Sequence, residues 1–221
     1  MMRTVTVLLL SSLLLIACGE PERPSIPLSL AVSRGDIDQL ERHMYWGSDL
    51  EAPDPSGQRP LHVTAAKGNV VVVRKLLEHG VQVDAPDTNG HTALQLAILA
   101  GRTQAADVLI GHGAKLDADA LLLEAARTGN PDRDVVRYLV KLGANPEARS
   151  STGDTPLLLA VRGGHLRLAR HLVDAGADVN VRDAQGVTAL TLARQANQRE
   201  MASLLMRYGA QANGETANPA Q

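Results

Sequence analysis

The sequence predicts an all-α solenoid of about six stacked helix–turn–helix units joined by short β-hairpin fingers. Three observations predict it. Glycine recurs at Gly47, Gly80, Gly113, Gly143, Gly176 and Gly209, with spacings of 33, 33, 30, 33 and 33 residues, a period that marks a stacked-repeat architecture. A second series, Gly35, Gly68, Gly101, Gly129 and Gly164, runs in phase with the first, and Asn197 stands in its place in the last copy. The chain of 221 residues has no Phe and only 2% aromatic side chains. A single globular core draws much of its buried area from aromatics, whereas short helices packed ~8–10 Å apart want Ala, Leu and Val.

The most regular unit spans residues 152–180, and each piece of it has a local physical role. Gly153 supplies the positive φ of a tight turn. Thr155 is a helix N-cap, and Pro156 suits the first helical position, where a missing N–H costs nothing. Gly164 punctuates the turn between two helices, and Gly176 ends the second. The helix start recurs in register as Arg59-Pro60-Leu61-His62, Thr92-Ala93-Leu94, Thr155-Pro156-Leu157 and Thr188-Ala189-Leu190. With these motifs the chain resembles ankyrin-repeat proteins over residues 25–213, in six copies. The resemblance implies an ankyrin-repeat solenoid in which His62 joins a hydrogen-bond network between neighbouring repeats.

The chain divides in order as follows. Residues 1–17 combine a basic start (Arg3) with an apolar run from Val5 to Ala17, too short for a comfortable transmembrane helix of ~20 residues and suited to the h-region of a signal peptide. Leu15-Ile16-Ala17-Cys18 resembles the bacterial lipobox, so Cys18, the single cysteine, is the expected lipidation site and membrane attachment. Gly19 after it points, by resemblance to Gram-negative lipoproteins, to the outer membrane facing the periplasm. Residues 18–24 are expected to form an extended, fairly stiff tether of roughly 20 Å.

Repeat one is atypical, as a terminal repeat should be; its Tyr45-Trp46 is read as part of that cap, with a binding hot spot as the alternative. Repeats two, three and five are regular. In repeat four the spacing from Gly113 to Gly129 is only 16 residues, so its finger is reduced, and an insertion falls around Asn130-Pro131-Asp132-Arg133. Either change is tolerated drift or a notch for a partner. Repeat six carries polar residues suited to a solvent-facing cap, and residues 214–221 form a small, polar tail expected to be disordered.

A formal net charge of −2 provides no basic field for nucleic acid. The sequence holds no zinc-protease, nucleophile-elbow, phosphate-loop, paired-cysteine or dinucleotide motif, so no cofactor, metal or catalytic residue is assigned. His79 and His112 share one position before a closing glycine, where each can face a helix C-terminus. What remains is binding by a monomeric, non-catalytic module. The resemblance places contacts at finger tips (Ser56, Gln58, Asn89, His91, Thr152, Asp154 and Gln185) and on the concave surface before the inter-helix glycines. There Arg34, Lys67, Arg127 and Arg162 are expected to form an interrupted basic ridge. The expected partner is a protein with an acidic patch, bound by a scaffold or an inhibitor or immunity-type protein. The alternatives are an accessory or hydrolytic envelope enzyme with an unrecognised site, and a lipid-anchored spacer.

Overall fold

The computed structural model describes residues 20–129 and 133–212. The signal segment, Cys18, the centre of the repeat-four insertion and the C-terminal tail lie outside them. The described residues form twelve short helices: α1 (Leu28–Arg34), α2 (Ile37–Tyr45), α3 (Pro60–Lys67), α4 (Val70–Glu78), α5 (Ala93–Leu99), α6 (Thr103–Gly111), α7 (Ala118–Thr128), α8 (Arg133–Lys141), α9 (Pro156–Arg162), α10 (Leu166–Asp174), α11 (Ala189–Gln195) and α12 (Arg199–Arg207). Both glycine series adopt positive φ throughout, and Asn197, their one replacement, has φ 56°. That is the left-handed conformation, which Asn tolerates better than other side chains.

Helix starts follow the local chemistry. The Thr92, Thr155 and Thr188 side chains accept from Gln95, Leu158 and Thr191 backbone N–H groups, and Pro60 and Pro156 occupy first turns. Odd-numbered helices are seven or eight residues long except α7, which has eleven. In repeat four the finger is replaced by an extra turn of α7, capped by Asp117, which accepts from Ala120 N–H at 2.9 Å. Elsewhere the fingers are single-turn hairpins, two of them closed by the bridges Pro86–Thr92 and Arg182–Thr188.

Apart from α5 and α7, which touch only weakly, neighbouring odd helices pack at least as closely as neighbouring even ones, above all α3 on α5. The array therefore curves with the odd, inner helices on its concave side and the even, outer helices on its convex side. One apolar core of Leu, Val and Ala runs its full described length, from Ala31 to Leu205. Small residues at the inner interfaces (Ala65, Ala93, Ala97, Ala160, Ala189 and Ala193, all fully buried) allow that close approach.

Loops add a second register, a ladder of backbone N–H groups donating to side chains of the preceding repeat. Gln82 donates to Glu51 (2.6 Å), Lys115 to Asp84 (3.0 Å), Asn145 to Asp119 (2.6 Å), Asp178 to Glu147 (2.8 Å) and Gln211 to Asn180 (2.8 Å). The acceptor stands four residues after the closing glycine in each repeat but the fourth. There Asp117 is taken up as the α7 cap, and Asp119 supplies the rung.

The tether departs from expectation. Its described residues do not stand free but lie on α2 and the turn that ends it. Trp46 Nε1 donates to the Pro21 carbonyl at 3.1 Å, Arg42 pairs with Glu22 at 2.8 Å, and the Arg23 guanidinium stacks over Trp46 at 4.7 Å. A cation over an indole face holds better than an exposed ion pair alone. Trp46 thus holds the tether against the first repeat.

Candidate functional site

The fingers and inner helices together build the concave surface. At its N-terminal end, Leu28, Val32, Pro60 and Val63 form the floor of an open groove of about 220 Å³, and Pro53, Asp54, Pro55 and Gln58 of the finger form one wall. Each regular finger is closed from within by one acceptor. Asp54 Oδ1 accepts from Ser56 and Gln58 N–H (2.9 and 3.0 Å), Asp87 Oδ1 from Asn89 and His91 (2.8 and 2.9 Å), and Asp183 Oδ1 from Gln185 and Val187 (3.0 and 2.8 Å). In repeat five Ser150 substitutes, its Oγ accepting from Thr152 and Asp154 N–H. These closing residues escape a search for motifs. The signal that finds them is an Asp or Ser three residues before each finger glycine.

The Ser56 hydroxyl donates to the Asp54 carboxylate at 2.6 Å; this bond, against the opposing effect of burial, holds Asp54 below the usual carboxylate range. Burial pushes Asp87 up, but backbone N–H groups of His91 and Asn89 and the nearby His62 outweigh it, and its carboxyl is also held low.

The tip residues Ser56, Asn89, Thr152 and Gln185 are exposed, and Gln58 is half-buried. His91 and Asp154 turn inward instead. His91 Nε2 lies 3.2 Å from Glu124 of α7, across the place where repeat four lacks its finger. Asp154 is buried; it accepts from the Thr152 hydroxyl and from Arg162 Nε at 3.3 Å.

The expected basic ridge is therefore uneven. Arg162 also donates through Nη2 to Asp183 at 2.7 Å, which makes it a clamp between repeats five and six with two carboxylates about it. Lys67 Nζ donates to the Ser33 carbonyl at 2.6 Å, at the C-terminus of α1, where a cation is favourable. Arg34 and Arg127 are exposed and have no ion-pair partner among the described residues. At the equivalent place in repeat three stand Leu99 and Ala100.

The histidines serve the scaffold. His62 is buried on α3, and its Nε2–H donates to the His91 carbonyl at 3.0 Å, linking repeats two and three. Burial depresses its pKa, so it is neutral at pH 7. His43 Nε2–H donates to the Ile26 carbonyl, while its Nδ1 accepts from Ser48. The Nδ1–H groups of His79 and His112 donate to the Lys75 and Val108 carbonyls of their own helices. Among the described residues no group of His, Cys, Asp and Glu side chains is arranged to hold a metal ion, and no helix is long and apolar enough to cross a membrane.

Residues 28–120 and 122–216 match the family model described as ankyrin repeats (3 copies). The chain belongs to the ankyrin-repeat family, whose repeats are protein-binding modules and in general non-catalytic. No curated protein matches it. Among solved structures it is similar to an ankyrin repeat domain of Acinetobacter baumannii, at 30% identity over 84% of this chain and 98% of that one, with a TM-score of 0.60. It is also similar to the ankyrin repeat domain of Bcl-3, of the IκB protein family, at 28% identity over 86% and 89%, TM-score 0.66. A third likeness is to a chain of the Bdellovibrio bacteriovorus complex of the predatory endopeptidase Bd0816 with the immunity protein Bd3460, at 26% identity over 84% and 99%, TM-score 0.63.

Proposed function

We propose that this chain is a lipid-anchored envelope protein that binds a partner protein through its concave face and finger tips. The anchor is Cys18, and the side served is the periplasmic face of the outer membrane, both read from the lipobox-like sequence before Cys18 and from Gly19. The observation that carries the binding reading is the groove where finger and inner helices meet, continued along the array by the exposed cations Arg34 and Arg127. The tips Ser56, Gln58, Asn89, Thr152 and Gln185 supply polar contacts around it. Arg162, Asp154 and His91 take part as the groups that fix finger positions, and Lys67 as a partly engaged cation.

The partner face that fits is acidic, because the unpaired charges on the concave side are positive. Between scaffold and inhibitor, the likeness to a chain of an endopeptidase–immunity protein complex favours an inhibitor that covers a functional surface of its partner. Photo-crosslinking from a residue placed at Arg127 or Gln58, compared with one at Val71 on the convex face, tests the reading. One protein crosslinked from the two concave sites and absent from Val71 is the expected result; equal labelling from all three overturns it.

A further inference from the structure

The outer helices start at residues 37, 70, 103, 133, 166 and 199, so their fifth and ninth positions, with the first on the same stripe, are equivalent points on the convex surface. The charge at those points divides the array. On α2, α4 and α6 they carry Glu41, Glu78 and Asp107 against Arg74. On α8, α10 and α12 they carry Arg137, Lys141, Arg170, Arg199 and Arg207 against Asp174.

All five cations are exposed and form no ion pair among the described residues. The one acid of the stripe is engaged, since the Tyr208 hydroxyl donates to Asp174 at 2.6 Å. Arg170, Arg199 and Arg207 line one open recess of about 310 Å³ between α10 and α12, together with Ser203 and one carboxylate, Glu200, so the lining carries three cations against one acid. Three guanidinium groups and a hydroxyl suit the several oxygens of a phosphate group. In a chain with a formal net charge of −2, this is a local concentration of unneutralised positive charge.

The position of the tether indicates which phosphate. Pro21, Glu22 and Arg23 are held by Trp46 and by Arg42 of the outer helix α2, so the described start of the tether lies on the outer-helix side. The described tether and the basic stripe therefore share one side of the array, while the fingers and inner helices occupy the other. We propose that the convex face of α8, α10 and α12 is a second membrane contact that takes the phosphates of anionic lipid headgroups. It lays the array along the bilayer with its concave face turned outward. The orientation and the choice of a lipid phosphate rest on the anchor reading above; the basic surface itself does not. One acyl-bearing residue and a basic patch together hold a protein more firmly than either alone.

The test uses the chain from Gly19 onward, which contains the whole core described above and no anchor. Its partition onto vesicles of phosphatidylcholine is compared with partition onto vesicles containing one third phosphatidylglycerol. At ~1 kcal/mol for each basic residue near an anionic surface, replacing Arg170, Arg199 and Arg207 by Gln is expected to weaken binding to the anionic vesicles about a hundredfold. The triple Lys variant retains most of it, and Arg74→Gln leaves it unchanged. Equal partition onto both vesicle types, or a Gln variant that binds like the native chain, overturns the proposal. Binding of inorganic phosphate or an acidic polyglutamate peptide without any preference for phosphatidylglycerol also overturns it, in favour of a free anion or a protein. The mass of the Cys18 peptide from cells is read separately. An unmodified Cys18 removes the anchor and the orientation while leaving the vesicle result to stand or fall alone.

Discussion

Replacing Asp183 by Ala removes the group on which the finger of repeat six and the last repeat interface converge. Its Oδ1 accepts from Gln185 and Val187 N–H at 3.0 and 2.8 Å, its Oδ2 accepts from Arg162 at 2.7 Å, and its side chain is 3% exposed. Hydrogen bonds to a charged acceptor each contribute ~1.5–3 kcal/mol net. The two backbone donors recover part of that from water once the finger opens, so about 2–3 kcal/mol is lost in all. The Arg162 pair adds little, because the guanidinium is 42% exposed and such pairs contribute ~0–1 kcal/mol. Asp183→Asn keeps an acceptor oxygen and removes the charge, and costs about 1 kcal/mol. In a repeat array each unit is held by its neighbours, so the loss appears first as opening of repeat six. Native-state hydrogen exchange of α11 and α12 is the assay. Asp183→Ala should speed exchange there roughly 30- to 150-fold, at ~1.4 kcal/mol per factor of ten, and leave α3 unaffected. A change below about twofold would refute the assignment of Asp183 as the residue that closes the finger.

Other consequences are as definite. Gly129 has φ +75°, and a Cβ there would lie 2.3 Å from the His165 ring; Gly129→Ala should cost about 1–3 kcal/mol in urea unfolding. His165→Ala in the same chain should recover the steric part but not the cost of the left-handed backbone. Asp84→Ala breaks one rung of the loop ladder and should lower stability by ~1 kcal/mol, whereas the same change at Asp38, whose side chain makes no bond in the ladder, should have no effect on it. His62 is buried with its pKa held below the usual value. The unfolded chain therefore binds the proton more readily, and stability is full above about pH 6.5. It falls as the pH drops from there through the folded-state pKa, at up to ~1.4 kcal/mol per pH unit. A His62→Gln variant should lose that slope, and an unchanged slope would assign it to another group.

The glycine register was legible because positive φ is a local demand that few residues meet. Even the Asn197 substitution obeys it. Thr155 and Pro156 were legible as a helix start for the same reason. The extra turn of α7 was not, since a shortened interval says that the finger is missing without saying what fills it. Nor was the inward turn of Asp154. The equivalent positions Gln58 and Val187 are half-buried, and only Arg162, bridging to Asp183, draws Asp154 into the interface. Arg162 itself looked like one more member of a basic ridge, because sequence gives the spacing of charges and not their partners. The packing of the tether on the first repeat depends on pairs such as Glu22 with Arg42 and Pro21 with Trp46, which no local pattern reveals. The basic half of the convex face emerges only when the outer-helix starts are aligned, and those starts carry no motif of their own.

The central claim is that the concave face of this array, and not its convex face, carries the protein partner. It is tested most directly with photo-crosslinking residues at Arg34, Gln58, Arg127 and Gln185, set against Val71 and Arg137, in cells that retain the native envelope. The expected result is one protein crosslinked from the four concave and finger positions, lost when Arg34 and Arg127 are both changed to Glu in a chain labelled at Gln58. Crosslinks to that protein from Val71 and Arg137 with none from the concave positions would contradict it.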